Sequence, residues 1–282
     1  MNDKKTHKTI ITPKTRFFSL NLPELLKYRD LIWLFVKKNY STRYKQTILG
    51  SSWLLITPIL SIICYSIIFG TVAGLSTDGL PKLVFYLSGN IIWNFFSKCV
   101  NDNSNLFVGN AYLFGKVYFP RLTLPISNII TAFFDFCIQF LLLALLMIYY
   151  SFNGWTFNLT PALLYFPLIM LQLGLFGLGV GLIITSVTTK YRDLSILVHF
   201  LMQIWMYGTP VVYSLSIVPQ RFMSLYMLNP VTPAVILFKQ GMFGSYSLDL
   251  KLWGISWAVT LLISLLGIFS YNKTEKTFID KV

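Results

Sequence analysis

Acidic residues, histidine and cysteine are scarce in this sequence. Its 282 residues include 10 Asp and Glu, two His and three Cys, against 23 Lys and Arg. Cys64, Cys99 and Cys137 lie in or beside three different apolar segments and show no paired spacing. We therefore expect neither a disulfide framework nor a metal site.

Motifs for nucleotide binding and hydrolysis are also missing. The stretch GNAYLFGKV places Gly109 six residues before Gly115, one too many for G-x-x-x-x-G-K, and Val117 stands where Ser or Thr is needed. H-E-x-x-H and G-x-S-x-G do not occur. The sequence therefore predicts a chain with no catalytic residue, no cofactor of its own and no means of harvesting ATP by itself.

The overall share of charged residues is low, and long apolar runs are common. Charged residues make up 12% of the chain, about half the typical share of a soluble domain, and the mean hydropathy is +0.64. A spanning helix needs roughly 20 mainly apolar residues. Six segments within 50–272 meet that need: 53–73, 83–100, 126–150, 162–188, 195–213 and 253–271. The fold class predicted is an all-α integral membrane protein with six transmembrane helices.

The positive charge is distributed unevenly along the chain. Eleven of the 23 Lys and Arg precede Trp53, and with the first segment inside, 18 fall in inside segments and four in outside loops. This asymmetry predicts cytoplasmic termini, including the tail at 273–282. Membrane lipids are a sufficient partner for the basic N-terminus, so a net charge of +13 does not indicate nucleic acid.

After a polar tail at 1–20, the segment 21–49 predicts an amphipathic interfacial helix. Asn21 resembles an N-cap with Glu24 reaching back to it. At 100° per residue, one side is mainly apolar and the other mainly charged. The apolar side is Leu22, Leu25, Leu26, Ile32, Trp33, Val36 and Tyr40. A plain membrane anchor and a role in guiding a substrate or docking a partner both remain open. The candidate site residues of this interfacial helix are Trp33, Lys37, Lys38 and Arg43.

Polar residues recur every four positions in the second predicted span. Asn90, Asn94, Lys98 and Asp102 share one helical face. Such groups need partners in hydrocarbon, so the face should look into the bundle or a water-filled path. Two interpretations stay open: a hydrogen-bonding passage, or interhelical contacts with Lys98 and Asp102 paired at i, i+4.

The third predicted span contains an isolated acid. Asp135 and Gln139 suggest a structural partner rather than proton coupling, because no second acid or histidine accompanies them. A membrane-embedded transferase would need clustered acids or a His/Asp base. Asp102, Asp135 and His199 are the candidates and lie in three different spans, which argues against that activity.

Two loops carry further signals. Residues 105–119 predict a cytoplasmic amphipathic helix ended by Pro120, suited to lipid or a soluble partner. Between 214 and 250 the chain is apolar but broken by Pro219, Pro230 and Pro233. We expect two short helices near 218–227 and 233–243 that dip into the outer leaflet and return, with a lipid-skimming loop as the alternative.

Four stretches resemble the membrane subunits of ABC-type polysaccharide exporters, the family of O-antigen, capsule, teichoic-acid and polyrhamnose permeases. They are RDLIWLFVKKNYSTRYKQTILGSSWLLITPIL, KVYFPRLTLPIS, YRDLSILVHFLMQIWMYGTPVVY and LNPVTPAVILFKQGMFG. The resemblance runs from about Arg29 to Gly244 in the family's order. Lys239 departs from the pattern, where Arg is expected more often.

The resemblance implies a bacterial inner-membrane permease that works as a homodimer. Its partners would be two copies of a cytoplasmic ATPase, which binds the ATP and Mg²⁺, and an undecaprenyl-type lipid-linked polysaccharide as cargo. An ABC exporter of drugs or lipids with the same architecture is the alternative.

Three further sets of residues are candidate sites. The ATPase-coupling set is Leu106, Asn110, Leu113, Phe114, Lys116 and Arg121. The channel-lining set, chosen because aromatic rings stack on sugars and polar groups bond their hydroxyls, is Tyr65, Phe69, Asn90, Trp93, Asn94, Lys98, Trp205 and Tyr207. The external-gate set is Pro210, Tyr213, Phe222, Tyr226, Pro230, Phe238 and Lys239.

Overall fold

The computed structural model describes residues 22–45, 47–114, 119–191, 193–244 and 250–279. It is all-helical, with 81% helix and no strand in these ranges. The α-helices are α1 (Leu22–Lys27), α2 (Arg29–Tyr44), α3 (Trp53–Tyr65), α4 (Lys82–Ser104), α5 (Leu106–Gly109), α6 (Ala111–Phe114), α7 (Thr123–Phe152), α8 (Phe166–Thr188), α9 (Leu194–Tyr207), α10 (Gln220–Met227), α11 (Val231–Phe243) and α12 (Leu250–Ile279). A π-helical segment, Ser66–Val72, extends α3.

Helix α4 forms the centre of the bundle. Every residue from Val84 to Trp93 is buried, and the helix contacts α3, α7, α8, α9 and α11. Its Phe96 ring stacks on Phe176 of α8 at 5.3 Å and meets Trp205 of α9 edge-on at 5.2 Å. The apolar positions along one helix thus hold together elements that lie far apart in the sequence.

Small residues let α8 approach its neighbours closely. A Cβ on Gly177 would lie 2.6 Å from the Cβ of Cys99 on α4, and one on Gly267 of α12 would lie 2.4 Å from the carbonyl oxygen of Gly179. Glycines of α8 and α12 therefore permit close helix packing within the chain.

Within the part of the chain that the structure describes, four helical segments are long and apolar enough to cross a bilayer: Gly50–Val72, Thr123–Phe152, Pro161–Thr188 and Leu250–Glu275. A bent pair, Arg221–Met227 with Val231–Phe243, meets at 96° and brings the total to five if counted as one span. The chain is therefore a multi-pass membrane protein.

The other two expected spans, 83–100 and 195–213, are not among these segments, and each has a physical reason. Helix α4 has the length, 23 residues, but its polar residues, among them Asn90, Asn94 and Lys98, lower the mean hydropathy of the expected span. Helix α9 has only 14 residues, about 21 Å, and ends at Tyr207 rather than at 213. Gly208 follows it and Pro210 has no N–H to continue the helical ladder, so the backbone turns there.

The amphipathic segment is helical but divided. The helix expected over 21–49 breaks at Tyr28 and ends at Tyr44, and Asn21 lies outside the described residues. Leu25 and Val36 are buried, as their side of the helix predicts, whereas Leu26 is 74% exposed. Phe35, which the helical wheel did not select, is 6% exposed because it packs against Phe119 at 5.7 Å.

The segment expected to be one helix over 105–119 consists of two single turns, α5 and α6, in its described part. Asn110 separates them with φ −123° and ψ 19°, and its side-chain amide donates to the Leu106 carbonyl at 3.0 Å. Residues 115–118, which include Lys116, lie outside the described residues.

Candidate functional site

Helix α2 meets the bundle through a charged cluster formed by Arg43, Lys98, Asp102 and Asp135. Arg43 Nη1 lies 2.8 Å from Asp135 Oδ2 on α7, and its Nη2 lies 3.9 Å from Asp102 Oδ1 on α4. Lys98 Nζ lies 2.6 Å from Asp102 Oδ2 and 3.5 Å from Asp135 Oδ2. Two cations and two anions thus neutralise one another where three helices meet.

The burial of these side chains falls steeply from one to the next. Asp135 is 5% exposed and Lys98 is 13% exposed, whereas Asp102 and Arg43 are 30% and 40% exposed. A buried carboxylate is costly unless it is paired and hydrogen-bonded. Asp135 meets both conditions, because the Tyr40 hydroxyl also donates to its Oδ1 at 2.8 Å.

Neutral amides extend the contact between α2 and the bundle. The Asn39 side-chain amide donates to Asn128 Oδ1 at 3.1 Å. Asn128 in turn donates to the Asp102 carbonyl at 2.9 Å and to Asn103 Oδ1 at 3.0 Å. Helix α2 is therefore fixed to α4 and α7 by directional polar bonds and not by apolar contact alone.

Two cavities of about 520 Å³ each adjoin the charged cluster. The first lies between α3, α4 and α7, and the second between α2, α4, α5 and α7. Both are lined by Arg43, Lys98, Asn101 and Asp102. The cluster therefore lies between two hollows and contributes polar side chains to both.

The expected channel-lining residues fall into three places, so the structure does not bring them to one surface. Asn94 and Lys98 line the first cavity, and Asn94 donates to Gln139 Oε1 at 3.0 Å. Asn90 and Trp93 are 2% and 5% exposed inside the helical core. Trp205 packs beside them against Phe96.

The remaining three members, Tyr65, Phe69 and Tyr207, lie together between α3 and α9. The Tyr65 and Phe69 rings are 6.0 Å apart, and Phe69 is 6.4 Å from Tyr207. Tyr207 is 47% exposed. Their assignment to a channel stays a prediction.

The expected gate set includes a buried lysine that lies beside Pro210 and Tyr213. Lys239 of α11 is 2% exposed; its Nζ donates to the Pro210 carbonyl at 3.3 Å and lies 3.7 Å from the Phe85 ring centroid. The adjoining hollow measures about 10 Å³. A carbonyl dipole and an aromatic face thus hold this ammonium.

The other gate residues differ in exposure. Pro230 is buried, and Phe238 is 1% exposed because it packs against Phe140 and Phe166. Phe222 is 48% exposed. The hydroxyls of Tyr213 and Tyr226 form a hydrogen bond between the turn after α9 and α10.

The coupling residues divide between core and surface. Leu106 is 1% exposed and Leu113 packs against the same apolar cluster, whereas Asn110 is partly exposed. Arg121 lies beside Glu275 of α12, with Nε and Oε1 3.4 Å apart. Phe114 ends α6.

The sequence indicates the members of the charged cluster as candidate site residues but does not predict which of them contact one another. The spacing of Lys98 and Asp102 predicts their pair, and an intramembrane acid at Asp135 predicts some partner. That the partner is Arg43, 92 residues away, depends on how α2 folds back. Asn39 and Asn128 carried no separate signal because single amides are common on helix surfaces.

These features define a class: a helical, multi-pass membrane protein with polar hollows among its spans and no metal cluster among the described residues. Residues 30–243 match the family described as ABC-2 type transporter. Because this match covers well over half of the sequence, the chain belongs to the ABC-2 type transporter membrane family.

Relatives within that family have been named for a cargo. An O-antigen export system permease protein RfbA of Klebsiella pneumoniae is 26% identical over 255 residues, which cover 89% of this chain and 94% of that protein. A second K. pneumoniae protein of that name is 23% identical over the same shares. A Myxococcus xanthus protein of that name is 29% identical over 74% of this chain and 78% of its own length.

Proposed function

We propose that this chain is the channel-forming subunit of an ATP-driven exporter that moves a lipid-linked polysaccharide outward across the bacterial inner membrane. The observation that carries the proposal is the similarity, over 89% of the chain, to permeases named for O-antigen export. Two copies of the chain would form the channel, and two copies of a cytoplasmic ATPase would bind ATP and Mg²⁺.

Six spans are proposed, with both termini in the cytosol. Helix α4 has 23 residues, about 34 Å, and the partners of its polar face come from α2 and α7. Helix α9 would cross together with the turn that follows it. The 18 to four division of basic residues between inside segments and outside loops supports this orientation.

The two ends of α4 support a placement for the cluster and the gate. Asp102 belongs to the charged cluster and Phe85 lies under Lys239, so the two sites are about 26 Å apart along the helix axis. That distance is close to the thickness of the hydrocarbon layer. The cluster would face the cytosol, and α10 and α11 would form a re-entrant gate at the outer side.

The lining of the first cavity suits a sugar. Asn101, Gln139 and Asp102 offer donors and acceptors for hydroxyl groups. Trp53, which is 44% exposed, presents an aromatic face to the same cavity. Sugars need this combination of planar polar groups and a ring to stack on.

A joint docking surface for the ATPase is proposed on α2 and α6. Lys38 Nζ of α2 donates to the Tyr112 hydroxyl of α6 at 2.8 Å and lies 5.4 Å from that ring's centroid. Tyr112 is 55% exposed. A partner that presses on α6 would therefore also move α2 and the charged cluster attached to it.

The proposal is tested by reconstituting the chain with its cognate ATPase in vesicles. ATP hydrolysis should rise when undecaprenyl diphosphate-linked glycan is added, and labelled glycan should change sides. Stimulation by hydrophobic drugs but not by glycan would favour the drug or lipid exporter. Nucleotide-driven transport by the chain alone would overturn the division of labour.

Coupling is tested by a matched pair of exposed aromatic residues. Tyr112→Ala should reduce glycan transport per ATP hydrolysed, since it removes the contact between α6 and α2. Trp155→Ala, which truncates a 42% exposed residue after α7, should leave that ratio unchanged. Equal effects of the two substitutions would remove α6 from the coupling pathway.

A further inference from the structure

A groove on the surface of the bundle, between α2 and α7, has no role in the transport proposal. It encloses about 600 Å³ and is lined by Trp33, Val36, Lys37, Tyr40, Phe134, Cys137, Ile138 and Leu141. Val36, only 4% exposed, forms its floor, whereas Leu141 is 61% exposed. We propose that this groove binds one anionic phospholipid of the cytoplasmic leaflet, with an acyl chain along α7 and the phosphate at Lys37.

The walls fit a hydrocarbon chain. Trp33 and Phe134 have ring centroids 5.8 Å apart, and Tyr40 lies 6.4 Å from Phe134, so rings from both helices close one end. The Tyr40 hydroxyl is engaged by Asp135, and an occupant therefore meets its ring. Apart from Lys37, the lining offers no charge.

The rim fits an anionic headgroup. Lys37 is exposed and has no acidic partner among the residues that the structure describes. The adjacent Lys38 is directed to Tyr112 on α6 instead, and the nearby Asp30 pairs with Arg29 at 3.8 Å. One exposed ammonium group thus borders an apolar groove, which is the charge pattern that complements a phosphate beside an acyl chain.

The dimensions favour a phospholipid over the long carrier of a glycan. Phe134 and Leu141 are about 10 Å apart along α7, room for only the first part of a chain. Interfacial helices bury their apolar faces about 5–10 Å into the boundary between headgroups and acyl chains. The groove therefore occupies the depth at which a phospholipid of the same leaflet begins its chain.

Occupancy would reinforce the charged cluster. Tyr40 forms part of the groove wall and donates to Asp135 from the other side of its ring. A chain packed on that ring holds α2 against α7, so a bound phospholipid stabilises the attachment of α2.

The test uses the full chain in phosphatidylcholine vesicles containing traces of photoactivatable phosphatidylglycerol or photoactivatable phosphatidylcholine. Cross-links from phosphatidylglycerol should concentrate on the peptides that contain Trp33–Tyr40 and Phe134–Leu141. They should exceed those from phosphatidylcholine about fivefold, the preference expected for one lysine near an anionic lipid. Phosphatidylglycerol should also raise the melting temperature more than phosphatidylcholine does.

Two matched pairs of variants isolate the groove. Leu141→Trp fills it and should reduce labelling by both lipids, whereas Ile148→Trp, on a 54% exposed residue two turns further along α7, should not. Lys37→Gln should abolish the preference for phosphatidylglycerol, whereas Lys45→Gln, on an exposed residue beyond the groove, should preserve it. Size-exclusion profiles identify any variant that has lost its fold.

Three outcomes would overturn the proposal. Uniform labelling along the apolar perimeter would mean bulk lipid only. An unchanged lipid preference in Lys37→Gln would remove the headgroup contact. Displacement of the probe by polyprenyl phosphate but not by excess phosphatidylglycerol would assign the groove to the glycan carrier.

Discussion

The two ends of α4 stabilise charge in opposite ways. At Asp102, two acids and two bases from three helices neutralise one another while Arg43 remains 40% exposed. At Phe85, the single ammonium of Lys239 is almost fully buried and is held by a carbonyl group and a ring. The first arrangement depends on every ion-pair partner being present, whereas the second depends on shape, on local dipoles and on the charge of the Asp78 carboxylate.

The two ends of α4 also attach different parts of the molecule to the bundle. The charged cluster joins α2, a surface helix, to α4 and α7, and its more exposed Arg43–Asp102 pair is open to screening by salt. The Lys239 site joins α11 to the turn after α9 through Pro210, out of contact with solvent. We therefore infer that the attachment of α2 is the more readily changed of the two.

The largest effect should come from removing the carboxylate that two cations share. Asp135→Ala leaves Arg43 without its closest partner and Lys98 with Asp102 alone. We expect the free energy of unfolding to fall by about 3 kcal/mol, the lower end for breaking a buried pair. Chemical denaturation of the purified protein in detergent measures this change.

Asp193→Ala is the matched control for that substitution. Asp193 is exposed at the start of α9, and its loss should change stability by less than about 0.5 kcal/mol. Equal losses for the two variants would show that the charged cluster contributes no more than surface acids do.

The next effect tests close packing at the other end of α4. A Cβ on Gly89 would lie 2.7 Å from the carbonyl oxygen of Val211, in the turn that also contains Pro210. Gly89→Ala should therefore cost about 2 kcal/mol, because backbone must shift to admit it. The same denaturation experiment applies.

Gly254→Ala provides the comparison for Gly89. Gly254 lies within α12 with no atom in reach of an added Cβ, so alanine should stabilise the helix by up to about 1 kcal/mol. If both substitutions changed the free energy of unfolding in the same direction and by the same amount, the turn would pack less closely against α4 than the structure shows.

A smaller effect compares one hydroxyl at each end. Tyr40→Phe removes a hydrogen bond to the Asp135 carboxylate and should cost about 1.5 kcal/mol. Tyr226→Phe removes a bond to the neutral Tyr213 hydroxyl and should cost about 0.5–1 kcal/mol. Melting temperatures in the same detergent compare them, and a reversed order would contradict the assignment of the charge-assisted bond.

The sequence alone was sufficient to predict the apolar helices and one ion pair within a helix. Runs of apolar residues predicted α3, α7, α8 and α12, and spacing by four predicted the bond between Lys98 and Asp102. Both depend on periodicity along one helix.

Contacts between distant segments could not be predicted in that way. Arg43 and Asp135 meet because α2 folds back on α7, and Phe35 is buried because Phe119 happens to face it. Likewise, the span at α9 was expected to continue to 213, because the residues beyond Tyr207 are mainly apolar. The helix instead ends at Tyr207, where Gly208 and Pro210 follow. Hydropathy measures solvent preference and carries no information on backbone hydrogen bonding.

Removing the buried charge by Lys239→Met should have only a small effect on stability. Methionine has a similar length and no charge to desolvate. The desolvation cost that it avoids offsets the loss of the hydrogen bond to the Pro210 carbonyl. We expect a change within about 1 kcal/mol, measured by denaturation. Lys239→Arg should cost more, because the adjoining hollow of about 10 Å³ has no room for a guanidinium fork. A loss for Lys239→Met as large as that for Asp135→Ala would show that the buried ammonium, like the charged cluster, stabilises the fold by its charge.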